Sequence, residues 1–507
     1  MTTSLALRSR AIACALACAA FAPARLAAQN VTPAGVFESS TDVGAVLHAG
    51  SVNYDASKRS YTVSGSGENM WFASDAFQFV WKRVSGDVTL TADIAFPAKG
   101  GNAHRKAVLM IRQSLDADSA YADAALHGDG LTSLQARVEK GAATHEVQAN
   151  ETTPDRLRIV KRGEQVYIFL AGAGEPLRFA GGSVRLPLQE PYYVGIGVCS
   201  HEKDAVETAI FSNVDLTSGT PSESTQPRLY STLETVTVAS TDARAVYVTP
   251  GRIEAPSWTP DGASLLFTRD GRIERVAATG GQSQMIDTGS ATRSDSHHAI
   301  SPDGQSLAMG DDSRQPGKTA IYVASVARGT LLRVTRQVPS WGPAWSPDGK
   351  TLAFTAERGG QIGIYTVPAS GGDEAPLVTG PGRNEAPEFS PDGGYIYFNS
   401  SRSGSRQVWR MRPDGGGQEQ VTGDDYNNLY PHVSPDGKRI VFLSYDKNLD
   451  VPQDRPVLLR MMLLSDGQSA AKPAFLALFN GGLGSIDAPS WSPDSKRLAF
   501  VSYQMIP

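Results

Sequence analysis

Cysteine is scarce in this chain of 507 residues, which contains only three. Two of them lie in the N-terminal segment, and Cys199 is the only one beyond residue 28. That part of the chain therefore cannot form an internal disulfide bond, and it must rely on hydrophobic cores of adequate size. Within the run YVGIGVCSHE, we interpret Cys199 as a buried strand residue rather than a reactive thiol.

The sequence also lacks a strong excess of charge and any long apolar run beyond its N-terminus. Its formal net charge is −5 at pH 7, so no electrostatic signature of nucleic-acid binding is present. No later segment is apolar over a length that could span a bilayer. We therefore expect neither a nucleic-acid partner nor stable membrane insertion.

The first 28 residues have the features of an export signal. Two arginines precede the apolar run AIACALACAAFA, and small residues follow it. This pattern is typical of a signal peptide that is removed between Ala24 and Gln29. A lipoprotein signal at Cys18 is the alternative, although the residue three positions before it is Ala15 rather than leucine. The segment predicts a periplasmic or secreted protein.

A turn tetrapeptide, SPDG or a close variant, recurs six times in the second half of the chain. Its prolines stand at positions 260, 302, 347, 391, 435 and 493, with apolar strand-like runs on both sides. Proline presets the backbone for a tight turn and Asp-Gly completes it, so the tetrapeptide joins two antiparallel strands. A period near 44 residues with such turns is typical of a β-propeller with one blade per repeat. The turn aspartates repeat because the turn repeats, so we interpret them as structural.

The last repeat ends after its second strand, at Pro507. The stretch ETVTVASTDARAVYVTP, at 234–250, has the shape of a third strand, a turn and a fourth strand. We therefore expect strands from the start of the propeller to complete the last of six blades and to protect a sheet edge. The predicted propeller extends over residues 228–507.

These repeats resemble those of the TolB-type periplasmic β-propellers, with blades of the form WSPDG-x-x-[LI]-x-F-x-S. Good copies are AWSPDGKTLAF at 344–354 and SWSPDSKRLAF at 490–500. The resemblance covers about residues 226–507 and is specific for the fold. It implies a scaffold or a ligand-binding protein, and less often an enzyme, because such folds serve many functions.

Residues 36–218 lack the repeat and alternate apolar with polar residues, as the strands of a β-sandwich do. Four pieces resemble concanavalin/laminin-G-like jelly-roll modules: GDVTLTADI, KAVLMIRQSLDADSAYA, DRLRIVKRG, and YVGIGVCSH with AIFSNVDL. The resemblance implies an accessory, lectin-like role in binding glycan or protein. Residues 219–227 are the predicted linker. The predicted fold class is all-β, with an N-terminal jelly-roll β-sandwich followed by a six-bladed β-propeller.

The strand before each SPDG turn is expected to be the innermost strand of its blade, so that its side chains approach the central channel. Corresponding positions are small in some blades and chemically active in others, as expected for a shared pocket. Glu388 and His432 occupy the same position in adjacent blades, and His297 and His298 add imidazoles near the same opening. The predicted binding residues are Glu254, His298, Trp341, Glu385, Glu388, His432 and Asp487.

Two interpretations of these channel residues remain open. In one, His298, Glu388 and His432 form a metal site or an acid–base site. In the other, the channel is polar because water fills it. Some propellers of this wider group are metal-dependent lyases acting on oligogalacturonides, but their multi-histidine ligand set has no match in this sequence. We therefore expect no metal and no cofactor, and Glu388 and His432 are only candidates for catalysis.

The sequence predicts an exported TolB-like binding or scaffold protein. Its partner would be an envelope protein or a polysaccharide, held at the propeller channel or top face, and we expect binding more than enzymatic activity. The alternative is a carbohydrate-active enzyme with its site in the propeller funnel. Two carboxylates across a sugar-sized gap would favour a glycoside hydrolase, whereas converging imidazoles would favour a metal-dependent polysaccharide lyase.

Overall fold

The computed structural model describes residues 35–219, 226–327, 329–465, 468–469 and 472–506. The predicted signal peptide and most of the predicted linker lie outside these residues. The described residues form strands, turns and loops without any helix, which confirms the all-β prediction. Within these ranges, accordingly, no helix is long and apolar enough to cross a membrane.

The first seventeen strands form two antiparallel sheets and one separate two-stranded hairpin. In chain order they are β1 (Ser39–Val43), β2 (Ser51–Asp55), β3 (Ser60–Gly67), β4 (Met70–Trp71), β5 (Ser74–Asp75), β6 (Phe77–Val84), β7 (Val88–Ala95), β8 (Lys106–Arg112), β9 (Tyr121–His127), β10 (Thr132–Arg137), β11 (His145–Gln148), β12 (Arg156–Arg162), β13 (Gln165–Ala171), β14 (Arg178–Phe179), β15 (Val184–Arg185), β16 (Tyr192–Cys199) and β17 (Glu202–Ser218). One sheet has the order β1-β6-β16-β8-β9-β10-β11, and the other has the order β14-β13-β12-β7-β17-β3-β2. Strand β15 pairs with β13, and β4 and β5 form a separate hairpin.

The two sheets pack face to face on one hydrophobic core. Leu109 of β8 and Ile159 of β12, from opposite sheets, are both fully buried in it. Successive side chains of a strand point to opposite faces, so one face of each sheet fills the space between the layers. The two-layer arrangement is therefore present, and the narrower assignment to a concanavalin/laminin-G-like jelly roll stays a prediction.

Cys199 is the last residue of β16 and is fully buried. It is the one free cysteine of the described residues. Burial raises the pKa of its thiol to about 11, so the thiolate is disfavoured at neutral pH. The interpretation of Cys199 as a buried strand residue is confirmed.

The repeat region supplies the other strands. In chain order they are β18 (Arg228–Thr237), β19 (Ala243–Pro250), β20 (Ile253–Trp258), β21 (Ser264–Arg269), β22 (Arg272–Ala277), β23 (Gln284–Met285), β24 (Ser294–Ile300), β25 (Ser306–Asp311), β26 (Ala320–Ser325), β27 (Leu331–Arg333), β28 (Ser340–Trp345), β29 (Thr351–Arg358), β30 (Gln361–Pro368), β31 (Ala375–Val378), β32 (Asn384–Phe389), β33 (Ile396–Ser400), β34 (Gln407–Met411), β35 (Glu419–Gln420), β36 (Tyr426–Val433), β37 (Arg439–Asp446), β38 (Arg455–Ser465), β39 (Gln468–Ser469), β40 (Ala474–Gly481) and β41 (Arg497–Ile506). Strands β20 to β35 form four sheets of four consecutive antiparallel strands, which are the first four blades. The fifth blade is β36-β37-β38, with β39 and β40 both paired to β38.

The SPDG turns connect the first and second strands of the blades. In the third blade, the Gly349 amide donates to the Ser346 carbonyl at 2.8 Å, and Gly349 has a φ of +70°. The Asp348 carboxylate accepts from the Ser346 hydroxyl at 2.6 Å and from the Lys350 amide at 3.1 Å. The turn aspartate is thus used within its own turn, in accord with the structural interpretation.

The sixth repeat does not form a sheet of its own. Strand β41 pairs with β18 along the whole length of both strands, and β18 pairs with β19. Strand β19 in turn pairs in parallel with β11, where Val147 faces Ala243 and Gln148 faces Arg244. The structure therefore has five separate blades instead of the six predicted, because the strands of the sixth repeat continue into the N-terminal sheet and form a ten-stranded sheet with it.

The pairing of β18 with β41 predicts a strong effect of truncating Leu233. This side chain of β18 is fully buried in a core that also contains Val246, Phe267 and Val501. We expect Leu233→Ala to lower the free energy of unfolding by about 2–5 kcal/mol, because it leaves a cavity in a packed core. Denaturant unfolding followed by tryptophan fluorescence measures the change.

Leu332→Ala is the matched control, because Leu332 lies in a strand but is 46% exposed. It should change the free energy of unfolding by less than about 0.5 kcal/mol. Equal effects of the two substitutions would show that β18 is not an integral part of the propeller.

Candidate ligand site in the propeller channel

A β-bulge interrupts the first strand of each of the five blades at a similar place. In β32 the pairing register shifts between Glu385 and Glu388, and in β36 it shifts between Leu429 and His432. One residue at each bulge has a positive φ: Ala255, Ser296, Gly342, Ala386 and Tyr430. A bulge bends its strand and re-aims the neighbouring side chains. The bulges therefore bring residues of several blades together at the centre of the ring.

Residues at or just after the bulges of the second to fifth blades, together with two residues before β41, line a small cavity with a volume of about 30 Å³. The polar and aromatic side chains that line it are His297, His298, Glu388, Tyr430, His432 and Asp487; Gly342, Ala344, Ala386 and four prolines complete the wall. This volume holds one or two water molecules. It is far below the roughly 300–1,000 Å³ of pockets that enclose small organic ligands. A larger ligand would therefore have to bind at the mouth of the channel and insert only one small group.

Glu388 and His432, the two catalytic candidates, contact each other directly. The Glu388 Oε2 atom lies 2.5 Å from Nδ1 of His432, and its Oε1 atom accepts from the Val433 amide at 3.0 Å. The other ring nitrogen of His432 lies 2.6 Å from the carbonyl oxygen of Ile486. The pair thus connects the fourth blade, the fifth blade and the segment before β41, and its polar atoms are engaged within the protein.

His432 is positively charged at neutral pH. Both ring nitrogens face oxygen acceptors, Glu388 Oε2 and the Ile486 carbonyl, so both must carry a proton to donate. Burial by itself lowers the pKa of His432, but the charge and hydrogen bond of Glu388 outweigh it and raise the pKa above the usual 6.5. The pair is therefore a buried ion pair.

His298, the third member of the proposed catalytic or metal set, is turned away from this pair. Its Nε2 atom lies 3.0 Å from the Ser257 hydroxyl, and its Nδ1 atom lies 3.3 Å from the Thr268 hydroxyl, both in the first blade. Burial, together with the positive charge of His297, lowers the pKa of His298 to about 4. His298 is therefore a neutral side chain that connects two blades and also lines the cavity.

His297 lies where several blades meet. Its Nε2 atom is 3.9 Å from Asp487 Oδ2, and its ring centroid is 6.3 Å from that of Tyr430. Its Nδ1 atom lies 3.1 Å from the main-chain carbonyl of Asp295, and its ring lies beside Gly342 of the third blade. Burial lowers the pKa of His297, but the Asp295 and Asp487 carboxylates raise it to a value above the usual 6.5. The surroundings of His297 thus favour its charged form, as those of His432 do.

Asp487 is a buried carboxylate with an incomplete set of partners. Its Oδ2 atom accepts from the Gly484 amide at 3.0 Å, whereas its buried Oδ1 atom has no hydrogen-bond partner among the described residues. Burial raises the pKa of Asp487, and His297 opposes that shift. The pKa of Glu254 is also raised, first by burial and then by the nearby charge of Asp487.

The other predicted residues lie outside the cavity wall. Glu385 forms ion pairs with Arg383, at 2.6 Å, and with Arg406, at 3.5 Å. Trp341 is half-buried in β28, at the strand position that corresponds to Glu385. These residues and Glu254 precede the bulges in their strands.

The structure brings four of the seven predicted binding residues into the cavity wall: His298, Glu388, His432 and Asp487. The wall also contains His297 and Tyr430, which are not among the seven, and Asp295 lies beside His297. The sequence does distinguish His297. In the other four of the five blades a proline directly follows the bulge residue, whereas in the second blade His297 stands at that position. Within the described ranges, no group of three His, Cys, Asp or Glu side chains is arranged to hold a metal ion.

The arrangement of bladed sheets around a polar channel defines a β-propeller. The family described as TolB beta propeller domain matches residues 301–477. The uncharacterized protein Atu1656 of Agrobacterium fabrum is 40% identical over 275 residues, which are 54% of this chain and 92% of that protein. The solved structure of a TolB-type protein from Agrobacterium tumefaciens is 38% identical, with a TM-score of 0.52 over 56% of this chain and all of that one. The chain therefore belongs to the TolB-type β-propeller family.

A likeness to a lyase is much weaker. An oligogalacturonate lyase in complex with manganese is 16% identical, with a TM-score of 0.34 over 55% of this chain and 91% of that one. A likeness of this degree carries no argument about activity.

The buried ion pair predicts a pH-dependent effect of Glu388→Gln. Because the pKa of His432 is raised in the folded protein, the stability that it contributes is fully present below pH 6.5 and is lost as the pH rises through the folded pKa. We expect the substitution to cost about 3–5 kcal/mol at pH 5.5, because it leaves a buried charge without its partner, and clearly less at pH 9. Urea unfolding at the two pH values measures both costs.

Glu374→Gln is a control for the removal of a buried carboxylate, because the partner of Glu374 is an arginine, Arg358, and not a histidine. Its cost should be the same at pH 5.5 and pH 9. A cost of Glu388→Gln that is equally independent of pH would contradict a charged His432.

Proposed function

We propose that this protein is an exported, TolB-like binding or scaffold protein. It holds an envelope protein or a polysaccharide at the mouth of the propeller channel or on the adjoining top face. One observation carries this proposal: the Glu388–His432 pair uses its polar atoms for bonds within the protein. The channel therefore offers a rigid, charged wall and an opening for one small group, which suits recognition better than turnover.

We also propose finer assignments for the two parts of the chain. The strands β41, β18 and β19 act as a sixth blade that closes the ring, and their continuous pairing supports this assignment. The two-sheet unit is a concanavalin/laminin-G-like module with an accessory glycan-binding role, which its two-layer core supports. The N-terminal segment directs the protein to the periplasm or outside the cell.

A second candidate function is that of a carbohydrate-active enzyme in the propeller funnel. The observation in its favour is the direct contact of a carboxylate with an imidazole, a pairing used in acid–base catalysis. Catalysis would require Glu388 or His432 to give up internal bonds to reach a substrate. If polysaccharide is degraded by the wild-type protein, Glu388→Gln should abolish turnover; unchanged turnover would exclude Glu388 as a catalytic residue.

The binding function can be tested by a pull-down from native envelope extract. We expect the wild-type protein, residues 29–507, to capture one protein or polysaccharide reproducibly, and Trp341→Ala to reduce capture by at least about tenfold. The reason is that half-buried aromatic residues at a binding site contribute much of the binding energy. Mass spectrometry and sugar analysis of the eluate measure both classes of partner.

Trp409→Ala is the matched control, since Trp409 is equally half-buried but lies in the third strand of the fourth blade, away from the channel. Capture should be unchanged in this variant. Equal capture by wild type and Trp341→Ala would contradict a site at the channel mouth. A polysaccharide that both variants retain would place glycan binding on the N-terminal unit instead.

A further inference from the structure

Several carboxylates lie at the centre of the propeller, and two of them share one nearby cation. Five carboxylates lie on or near the channel: Glu254, Asp295, Glu385, Glu388 and Asp487. Glu388 pairs with His432, and Glu385 pairs with two arginines. For Asp295 and Asp487, the cation within 4 Å is the same side chain, His297. His297 therefore serves two buried carboxylates, and the charge of His432 also favours the ionised form of Asp487.

One carboxylate oxygen of Asp487 lacks a hydrogen-bond donor. Its side chain is only 1% exposed, and its Oδ1 atom has no partner among the described residues. A buried carboxylate oxygen without a donor costs about 1–3 kcal/mol or more, so such atoms are rare in folded proteins. Because Asp487 lines the cavity, a donor that entered the cavity could reach it. This unpartnered atom marks the position at which a ligand group would be bound.

His297 balances the charge of Asp487 without forming that missing bond. Its Nε2 atom is 3.9 Å from Asp487 Oδ2, which is too long for a hydrogen bond. A primary ammonium group is compact and carries three donors, so it fits a cavity of about 30 Å³ and can bond the carboxylate directly.

We propose that the channel binds a protonated primary amine, such as a lysine side chain or a chain N-terminus of a partner, at the Asp487 carboxylate, where the amine takes over the charge-balancing role of His297. This inference rests on the proposed function, because it names the group that a partner would insert into the channel. In the absence of the amine, His297 occupies the acidic site as an internal cation.

The internal cation makes the binding of the amine dependent on pH. The titratable groups that face His297 are Asp295 and His298 on its own strand, Glu254 on β20, Glu385 on β32, Tyr430 on β36 and Asp487 before β41. The carboxylates among them favour the charged form of the His297 imidazole, and this charged form competes with the amine for Asp487. As the pH rises through the pKa of His297, this competition ends. Binding should therefore strengthen by up to about tenfold per pH unit below that pKa and level off above it.

Titration of the full chain with methylammonium chloride tests this proposal without any partner. Isothermal calorimetry at pH 8.5, against sodium chloride of equal ionic strength, should show saturable binding of one methylammonium ion. At pH 6 the apparent Kd should be at least tenfold higher. Tetramethylammonium, which is larger and has no N–H donor, should not bind. Absence of saturable methylammonium binding at pH 8.5, or equal binding of tetramethylammonium, would overturn the proposal.

Two variants assign the effect to specific side chains. Asp487→Asn should raise the Kd for methylammonium at least tenfold at pH 8.5, whereas His297→Gln should retain binding and lose most of its pH dependence. Asp373→Asn removes the same charge from a side chain that is 99% exposed and should behave as the wild type. Binding that Asp487→Asn leaves unchanged would overturn the proposal.

The two proposals can fail separately. If methylammonium does not bind but Trp341→Ala still reduces capture of the partner at least about tenfold, the amine inference is wrong and the binding function stands. If methylammonium binds as expected but Trp341→Ala does not affect capture, the acidic site exists and the proposed site of the binding function is wrong.

Discussion

The pairing of β18 with β41 is the constraint on which the rest of the propeller depends. It joins segments more than 250 residues apart in sequence, from Arg228 with Ile506 to Thr237 with Arg497. An open row of blades would leave strand edges exposed and would let its inner strands spread apart. With both ends paired, the segment before β41 is held beside β20, and Asp487 is brought close to His297 and Glu254. The same sheet continues through β19 into β11, so the N-terminal unit is attached directly to the closing strands.

The centre of the ring is stabilised by polar contacts as much as by apolar packing. The Glu388–His432 pair and its bond to the Ile486 carbonyl connect two blades to the closing segment, and the bonds of His298 to Ser257 and Thr268 connect two more. Polar groups of this kind stabilise a fold only when they are paired, because an unpaired buried charge is costly. Asp487 Oδ1 is an exception at the centre, and an unpaired buried group where several blades converge is a candidate for function rather than for stability.

Much of the fold follows from local patterns in the sequence. The SPDG turn makes its hydrogen bonds among neighbouring residues, so its repeat predicts a hairpin wherever it occurs, and the period predicts blades. The contact between Glu388 and His432 is also accessible from sequence, since equivalent positions of adjacent blades are neighbours in a propeller. The number of separate blades was not accessible, because it depends on whether β19 ends a sheet or continues into β11. Only two residues of β11 pair with two residues of β19, and this short pairing joins the two sheets. No local sequence motif predicts it.

By itself, the sequence determined the elements of this protein: the strands, the turns that join them, and the positions at which a charged side chain can replace a small one. These features depend on neighbouring residues and on the strand period, and both can be read along the chain. Only the tertiary structure decided which of the charged side chains meet. The bulge in β24 turns His298 toward the first blade and places His297 at the centre, although the two residues are adjacent and chemically identical. Their opposite pKa shifts follow from that difference in surroundings, which exists only once the ring has closed.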